Sequence, residues 1–232
     1  ARMARPLRIE YPGAIYHITA RGNARQNIYI DAADRRIFLD ILGTACTRYD
    51  WACHAYCLMS NHFHLVVETR AATLSRGMRH LNGSYTQRFN YRHKRVGHIF
   101  QGRFHAILID ATSYLLEVVR YTLLNPVRAG MVATPGQWRW SSYRATISRE
   151  AAPAWLEVDR VMRHFGVETD TARNSFLKFM HDDETRPSIW DGLRQQIYLG
   201  DQEFVSRAQQ CLPGNFACLR EIPRAQRRNA GH

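Results

Sequence analysis

The sequence predicts an α+β fold: a ferredoxin-like βαββαβ antiparallel sheet with one added helix, followed by a small all-helical region. One observation behind this prediction is the order of local patterns, in which short apolar or alternating segments typical of strands alternate with amphipathic segments typical of helices. The other is charge. Residues 1–150 hold 21 Lys and Arg against 9 Asp and Glu, whereas residues 151–232 hold 11 of each. We therefore predict two parts, residues 1–150 and residues 151–232.

The first strand and the first helix are predicted over residues 14–23 and 31–50. Alternate side chains of a strand share a face, so one face of this strand carries Tyr16, Ile18 and Ala20. The helix is expected to begin at an N-cap near Asp31 or Asp34. Its apolar residues recur at helical spacing and predict a buried stripe of Phe38, Ile41, Leu42 and Ala45.

Two more strands are predicted over residues 51–59 and 62–68, joined by a short polar turn. A second helix, over residues 74–92, has an apolar stripe of Leu74, Met78, Leu81, Tyr85 and Phe89. A fourth strand over 104–110 leads into a third helix over 113–131. Pro126 is expected to end or kink that helix, because the residue before a proline avoids the α region. Short helices are predicted beyond it, over residues 155–165, 171–182 and 201–212.

A His-x-His pair opens the third strand. His62 and His64 point to one face, roughly 6 to 7 Å apart at Cα, so their two imidazoles can bind one metal ion. The alternative is a histidine pair on the solvated face of an edge strand. Cys53 and Cys57 would join them in a zinc site only if their segment were helical, because four residues along a strand span roughly 13 Å.

The segment between Glu68 and Asp110 contains no acidic residue and holds eight Lys and Arg. Cations neutralise phosphates, and aromatic faces stack on unpaired bases. Tyr85 and Phe89 are spaced as core residues, which leaves other aromatic side chains for stacking. We therefore predict that this segment binds nucleic acid through Arg76, Arg79, Arg88, Arg92, Lys94, Arg95, Arg103, Tyr91 and Phe100.

The third helix offers a nucleophile and a third metal ligand. Tyr121 and Asn125 are four residues apart and are therefore neighbours on one helical face. An amide oxygen suits Mg²⁺ or Mn²⁺, and a tyrosine beside it can attack a phosphate. Taken alone, a tyrosine on an amphipathic helix is more often a packing residue. Tyr114 lies on roughly the same face and is the second candidate nucleophile.

Four segments together resemble the single-tyrosine HUH transposases, and in particular the branch associated with repetitive extragenic palindromic (REP) elements. These segments are HAYCLMSNHFHLVVE, LSRGMRHLNGSYTQRFN, GHIFQGRFHAILID and YLLEVVRYTLLNPVRAGMV, and the resemblance covers roughly residues 3–145. It implies that His62, His64 and Asn125 bind Mg²⁺ or Mn²⁺ and that Tyr121 is the nucleophile. Residues 151–232 resemble the extension of longer members.

The resemblance also implies a reaction. Tyr121 would attack a phosphate of single-stranded or hairpin DNA, forming a 5′-phosphotyrosine and a free 3′-OH that can reverse the step and join strands. His17 and Glu68 are candidates for helping to ionise the tyrosine, whose pKa is ordinarily near 10. The REP-associated branch implies a monomer, although small insertion-sequence relatives work as dimers.

Two rival functions stay open at this point. A metal-dependent hydrolase could use the same His-x-His site with water as the nucleophile, and a domesticated DNA-binding protein would have lost catalysis. Composition narrows the setting of the protein. No apolar run approaches the length of a membrane span, and no signal-peptide pattern opens the sequence. Five cysteines without a regular framework are typical of reduced thiols, so we expect a cytoplasmic protein.

Overall fold

Six strands form one mixed sheet in the computed structural model, which describes residues 9–182 and 188–211. The strand order across the sheet is β2-β3-β1-β4-β6-β5. Neighbours among the first four strands are antiparallel, whereas β6 runs parallel to β4. The α+β class and the predicted order of the first four strands and two helices are confirmed. The strands are β1 (Ala14–Arg21), β2 (Trp51–Leu58), β3 (His62–Thr69), β4 (His105–Ile109), β5 (Leu193–Arg194) and β6 (Tyr198–Leu199).

Two helices, α1 (Ala32–Tyr49) and α2 (Leu74–His93), cover one face of this sheet. The Asp31 side chain accepts from the backbone N–H groups of Ala33 and Asp34, and the Asp34 side chain accepts from the backbone N–H of Asp31, as in a capping box. The helix therefore begins where predicted. Both predicted apolar stripes are buried in the same core cluster as Tyr16, Ile18 and Phe63 of the sheet. Local spacing therefore predicted this layer correctly.

A third helix, α3 (Ala111–Arg128), covers the opposite face. Its side chains Leu115, Val118 and Leu123 share a core cluster with Val66 and Ile107 of the sheet. The helix begins two residues earlier than predicted, because the Asp110 side chain accepts from the N–H of Thr112 as an N-cap. Pro126 lies inside its last turn, and the helix ends at Arg128, two residues after the proline.

The prediction that residues 151–232 are wholly helical is wrong. Three predicted helices are present, as α5 (Val158–Met162), α6 (Thr169–His181) and α7 (Gln202–Gln210), after a short α4 (Tyr143–Thr146). However, β5 and β6 also lie in this part and extend the sheet beyond β4. Two-residue strands carry no alternation to detect. The division of the chain near residue 150 stays a prediction, and none of the described helices is long and apolar enough to cross a bilayer.

Candidate active site

A cavity of about 420 Å³ opens on the α3 side of the sheet, where β1, β3 and β4 lie next to each other. The strand registers pair Thr19 with both His64 and His105, and Arg21 with His62. Side chains of both predicted histidines line this cavity, together with His17 and Tyr121. The remaining lining residues are Thr19, Ala20, Arg21, Gln101, Arg103, His105, Ile107 and Trp190.

The His62 and His64 rings lie together, with centroids 4.9 Å apart. The structure thus brings this pair to the same cavity, as their shared strand face predicted. His62 Nδ1 lies 2.8 Å from Asn61 Oδ1, which accepts only if Nδ1 carries the proton. His64 Nδ1 lies 3.0 Å from His17 Nε2, while His64 Nε2 is buried without a hydrogen-bond partner among the described residues. The Asn61 contact leaves His62 Nε2 with its lone pair, and His64 Nε2 keeps its lone pair in the tautomer in which His64 Nδ1 donates to His17.

Burial keeps these imidazoles neutral. Loss of hydration lowers the pKa of His62 to about 4, with the nearby Arg21 cation adding to the effect. The same loss lowers the pKa of His64 well below its usual value and that of His17 to about 3. At neutral pH all three rings are therefore uncharged, the state in which an imidazole can bind a metal ion.

Tyr121, and not Tyr114, lies against the histidines. Its ring centroid is 5.8 Å from that of His17 and 5.8 Å from that of His64, in edge-to-face contacts. The Arg128 guanidinium lies over the same ring at 4.9 Å from its centroid. Tyr114 instead packs beside Gly192, outside the cavity. The structure thereby separates two candidates that the sequence left together.

Asn125 lies one helical turn after Tyr121 but does not line the cavity. Its Nδ2 donates to the Tyr121 carbonyl oxygen at 2.8 Å, so its amide oxygen is the atom left to act as an acceptor or ligand. Over residues 9–182 and 188–211, no group of three His, Cys, Asp or Glu side chains is arranged to hold a metal ion. A third ligand would therefore have to be of another residue type, such as this amide.

Two other sequence candidates lie elsewhere. Glu68 is six residues along β3 from His62, roughly 20 Å away. It does not line the cavity, and it accepts from His54 Nε2 at 3.3 Å and pairs with Arg160 of α5, so its carboxylate attaches α5 to the sheet. Cys53 and Cys57 are buried along β2, where burial raises the pKa of both thiols. Thiols in that state are poor metal ligands.

The family comparison agrees with the cavity. Residues 11–122 match the family model described as "Transposase IS200 like", a range that includes both site histidines of β3 and Tyr121. Residues 11–122 are therefore similar to the IS200-like transposase family. No curated protein sequence matches the chain.

Three solved structures are similar to this chain to different degrees. A structure of the REP-associated tyrosine transposase bound to a REP hairpin aligns with TM-score 0.55 and 18% identity, covering 67% of this chain and 92% of that one. A putative transposase from Deinococcus radiodurans reaches 0.37 at 16% identity, covering 47% and 88%. A tRNA(His) guanylyltransferase from Saccharomyces cerevisiae reaches 0.39 at 7%, covering 81% and 85%. The last two scores are too low to indicate a shared fold.

The acid-free segment includes α2 and continues to the cavity. Arg103 lines the cavity, and Tyr91 is 91% exposed, as a stacking residue must be. Other exposed side chains of this segment belong to Arg76, Arg79, Arg88, Lys94 and Arg95. The backbone of the loop before β4 lies along the end of β1, since Gln101 N donates to Arg21 O at 2.8 Å. Exposed cations thus lie on α2 and on the loop that reaches Tyr121.

Two predicted DNA contacts are corrected by their packing. Phe100 is only 7% exposed and packs against Phe63 in the core, so its ring has no free face for a base. Arg92 is paired with two carboxylates of the α1 N-terminus, at 2.5 Å to Asp31 and 2.7 Å to Asp34. Its charge is therefore already neutralised within the protein.

Sequence reasoning missed several cavity residues, including Arg21, Gln101, His105 and Trp190. A signal existed for Arg21, because it follows His17 by four residues on the same strand and so shares its face. His105 opens β4 in register with Thr19, a pairing that only the sheet reveals. Trp190 lies outside the residues that match the family model and carries no local signal.

Proposed function

We propose that this chain cleaves and rejoins single-stranded DNA through a 5′-phosphotyrosine at Tyr121, acting as a transposase on hairpin DNA of the REP kind. The observation that carries the proposal is the contact of the Tyr121 ring with both His17 and His64 inside a cavity that also holds Arg21 and Arg103. Neutral imidazoles, a tyrosine and nearby cations are the parts that phosphoryl transfer to a tyrosine needs.

The residues present fit a divalent metal ion. The buried His64 Nε2 has no hydrogen-bond partner in residues 9–182 and 188–211, which is costly unless something else binds it. We infer that His62, His64 and Asn125 would hold Mg²⁺ or Mn²⁺, with Asn61 and His17 fixing the two imidazoles through their other nitrogens. When bound, the ion would polarise the scissile phosphate.

The protein's own groups carry the remaining steps. The Tyr121 Oη attacks the phosphorus, the bond to the 3′ oxygen breaks, and that oxygen leaves with a proton as a 3′-OH. Attack by a 3′-OH on the phosphotyrosine reverses the exchange and restores the tyrosine. Arg21 and Arg103 would bind the phosphate charge. His17 is a weak base because burial lowers its pKa to about 3, so orienting His64 suits it better than accepting the tyrosine proton.

The substrate proposal rests on charge and exposure. The exposed cations of α2 and the following loop, with the exposed Tyr91, suit a hairpin whose single-stranded flank enters the cavity. The relative with TM-score 0.55 was solved bound to a REP hairpin, which supports this class of DNA. A monomer remains our expectation for the oligomeric state.

The test is a denaturing gel of the protein incubated with a labelled single-stranded hairpin and Mn²⁺. We expect a covalent protein–DNA adduct that Tyr121→Phe abolishes, with at least about a 10³-fold loss of rate. Hairpin binding should stay unchanged, because none of the described residues hydrogen-bonds the Tyr121 hydroxyl. Tyr114→Phe is the matched control and should cleave normally. Cleavage without any adduct would favour a hydrolase that uses water, and binding without cleavage would favour a domesticated DNA-binding protein.

A further inference from the structure

Trp190 brings an aromatic ring from the C-terminal part of the chain onto the proposed nucleophile. Its ring centroid lies 4.9 Å from that of Tyr121 in an edge-to-face contact, and 5.2 Å from that of His17. Trp190 also lines the cavity. It lies well outside residues 11–122, the part of the chain that matches the family model.

The backbone around Trp190 is held in place by the sheet. The residue lies in a single 3₁₀ turn, Ile189–Gly192, whose N-cap Ser188 accepts the Trp190 N–H through its Oγ at 3.3 Å. The chain then forms β5 and β6, which are bound to β4. Leu108 N of β4 donates to Ile197 O, just before β6, and Asp110 N, just after β4, donates to Leu199 O of β6, both at 2.8 Å. β4 is also the strand that carries His105, so the tryptophan and the cavity share one scaffold.

The turn is also seated directly against α3. A Cβ atom added at Gly192 would lie 2.7 Å from the Tyr114 hydroxyl, which shows how closely the backbone approaches the helix that carries Tyr121. Ile189 and Leu193 on either side pack against the same core cluster as Leu115 and Val118 of α3. Trp190 is therefore held between fixed elements and is not a ring on a free loop.

We propose that Trp190 is a positioning residue for the cleavage step, an inference that rests on the proposed function of Tyr121. The Tyr121 ring turns about two side-chain bonds, and its neighbours decide where its oxygen points. His17 and His64 make edge-to-face contacts with it, the Arg128 guanidinium covers its face, and Trp190 is the largest ring among these contacts. Removing the indole leaves a space into which the phenol can swing, away from the scissile phosphate.

Misplacement of a reacting group by about 1 Å can cost about 10²-fold in rate. We expect Trp190→Ala to slow single-turnover cleavage of saturating hairpin by about 10- to 100-fold, while the hairpin Kd changes by less than about threefold. Trp190→Phe should recover most of the rate, because a smaller ring still blocks the swing. The covalent adduct of the alanine variant should also lose more DNA to water and rejoin less, since the cavity is left open.

The matched control is Trp155→Ala. Trp155 is also a tryptophan of the C-terminal part, but it packs on Tyr56 at 5.7 Å and against Gly43, outside the cavity. This variant should lower the thermal midpoint and leave the cleavage rate of the folded protein unchanged. A rate loss of similar size in both variants would show that Trp190 acts only through stability.

A measurement without DNA separates this inference from the proposed function. With 3-fluorotyrosine at position 121, the fluorine NMR line should shift and broaden in Trp190→Ala and stay close to wild type in Trp155→Ala. An unchanged line, or a Trp190→Ala variant that cleaves as fast as wild type or faster, would overturn the positioning role. Absence of any adduct with the wild-type protein would instead overturn the proposed function, and the NMR comparison would still decide the role of Trp190.

Discussion

The salt dependence of hairpin binding should separate the cations that are free to meet phosphates from the one that is paired within the protein. Arg88, Lys94 and Arg95 are exposed, and the Arg95 guanidinium lies 3.4 Å from the neutral Gln26 side chain and over the face of Phe89. Arg92 lies among them in sequence, but its guanidinium is paired with Asp31 and Asp34. A sequence-based count would treat these four residues alike, whereas the structure predicts different behaviour for Arg92.

On single strands each neutralised phosphate contributes a slope of about −0.7 to the plot of log K against log salt. Replacing Arg88, Lys94 and Arg95 by Ala should therefore flatten the slope by about 2. Between about 50 and 200 mM salt, the wild-type protein should lose about 20-fold more affinity than the triple variant. Arg92→Ala should leave the slope within experimental error of wild type and lower the thermal midpoint, since Asp34 is a buried carboxylate.

The assay is fluorescence anisotropy of a labelled hairpin with a single-stranded flank, titrated at several salt concentrations in the absence of divalent ions. Arg92→Ala serves as the matched control, because it removes the same charge from the same helix end. A slope change for Arg92→Ala as large as that of a single exposed cation would refute the reasoning. So would a triple variant whose slope equals that of wild type.

Three further predictions concern single residues. His62→Ala or His64→Ala should abolish metal-dependent cleavage and weaken Mn²⁺ binding in calorimetry without unfolding the protein. Full cleavage by the wild-type protein in saturating chelator would contradict the metal site. Tyr91→Ala should weaken hairpin binding as much at high salt as at low salt, because salt does not screen stacking. Phe100→Ala should instead lower the free energy of unfolding by about 3 kcal/mol in a denaturant titration. Glu68→Gln should leave cleavage intact and lower the free energy of unfolding by about 1 kcal/mol. The His54 hydrogen bond and the Arg160 pair lower the pKa of Glu68, so this contribution is present above the ordinary carboxyl pKa and is lost as pH falls through the lowered one.

The sequence by itself determined the features that depend on local periodicity. Helical spacing predicted the buried stripes of α1 and α2, and strand alternation placed His62 and His64 on one face. Both predictions depend only on local backbone geometry, which repeats every two residues in a strand and every three to four in a helix. The N-cap at Asp31 was readable for the same reason, since the atoms involved lie within one turn of the chain. The acid-free basic segment is likewise a property of the sequence alone.

Only the tertiary structure decided which distant residues meet. The sequence predicted Arg92 and Phe100 as DNA contacts. In the structure Arg92 is paired with Asp34, 58 residues away, and Phe100 is buried against Phe63. Trp190 contacts Tyr121 because β5 and β6 extend the sheet beyond β4. These strands are too short for a periodic pattern to predict them. Contacts of this kind depend on how sheet register and helix packing bring separate segments together, and no spacing within a single segment encodes them.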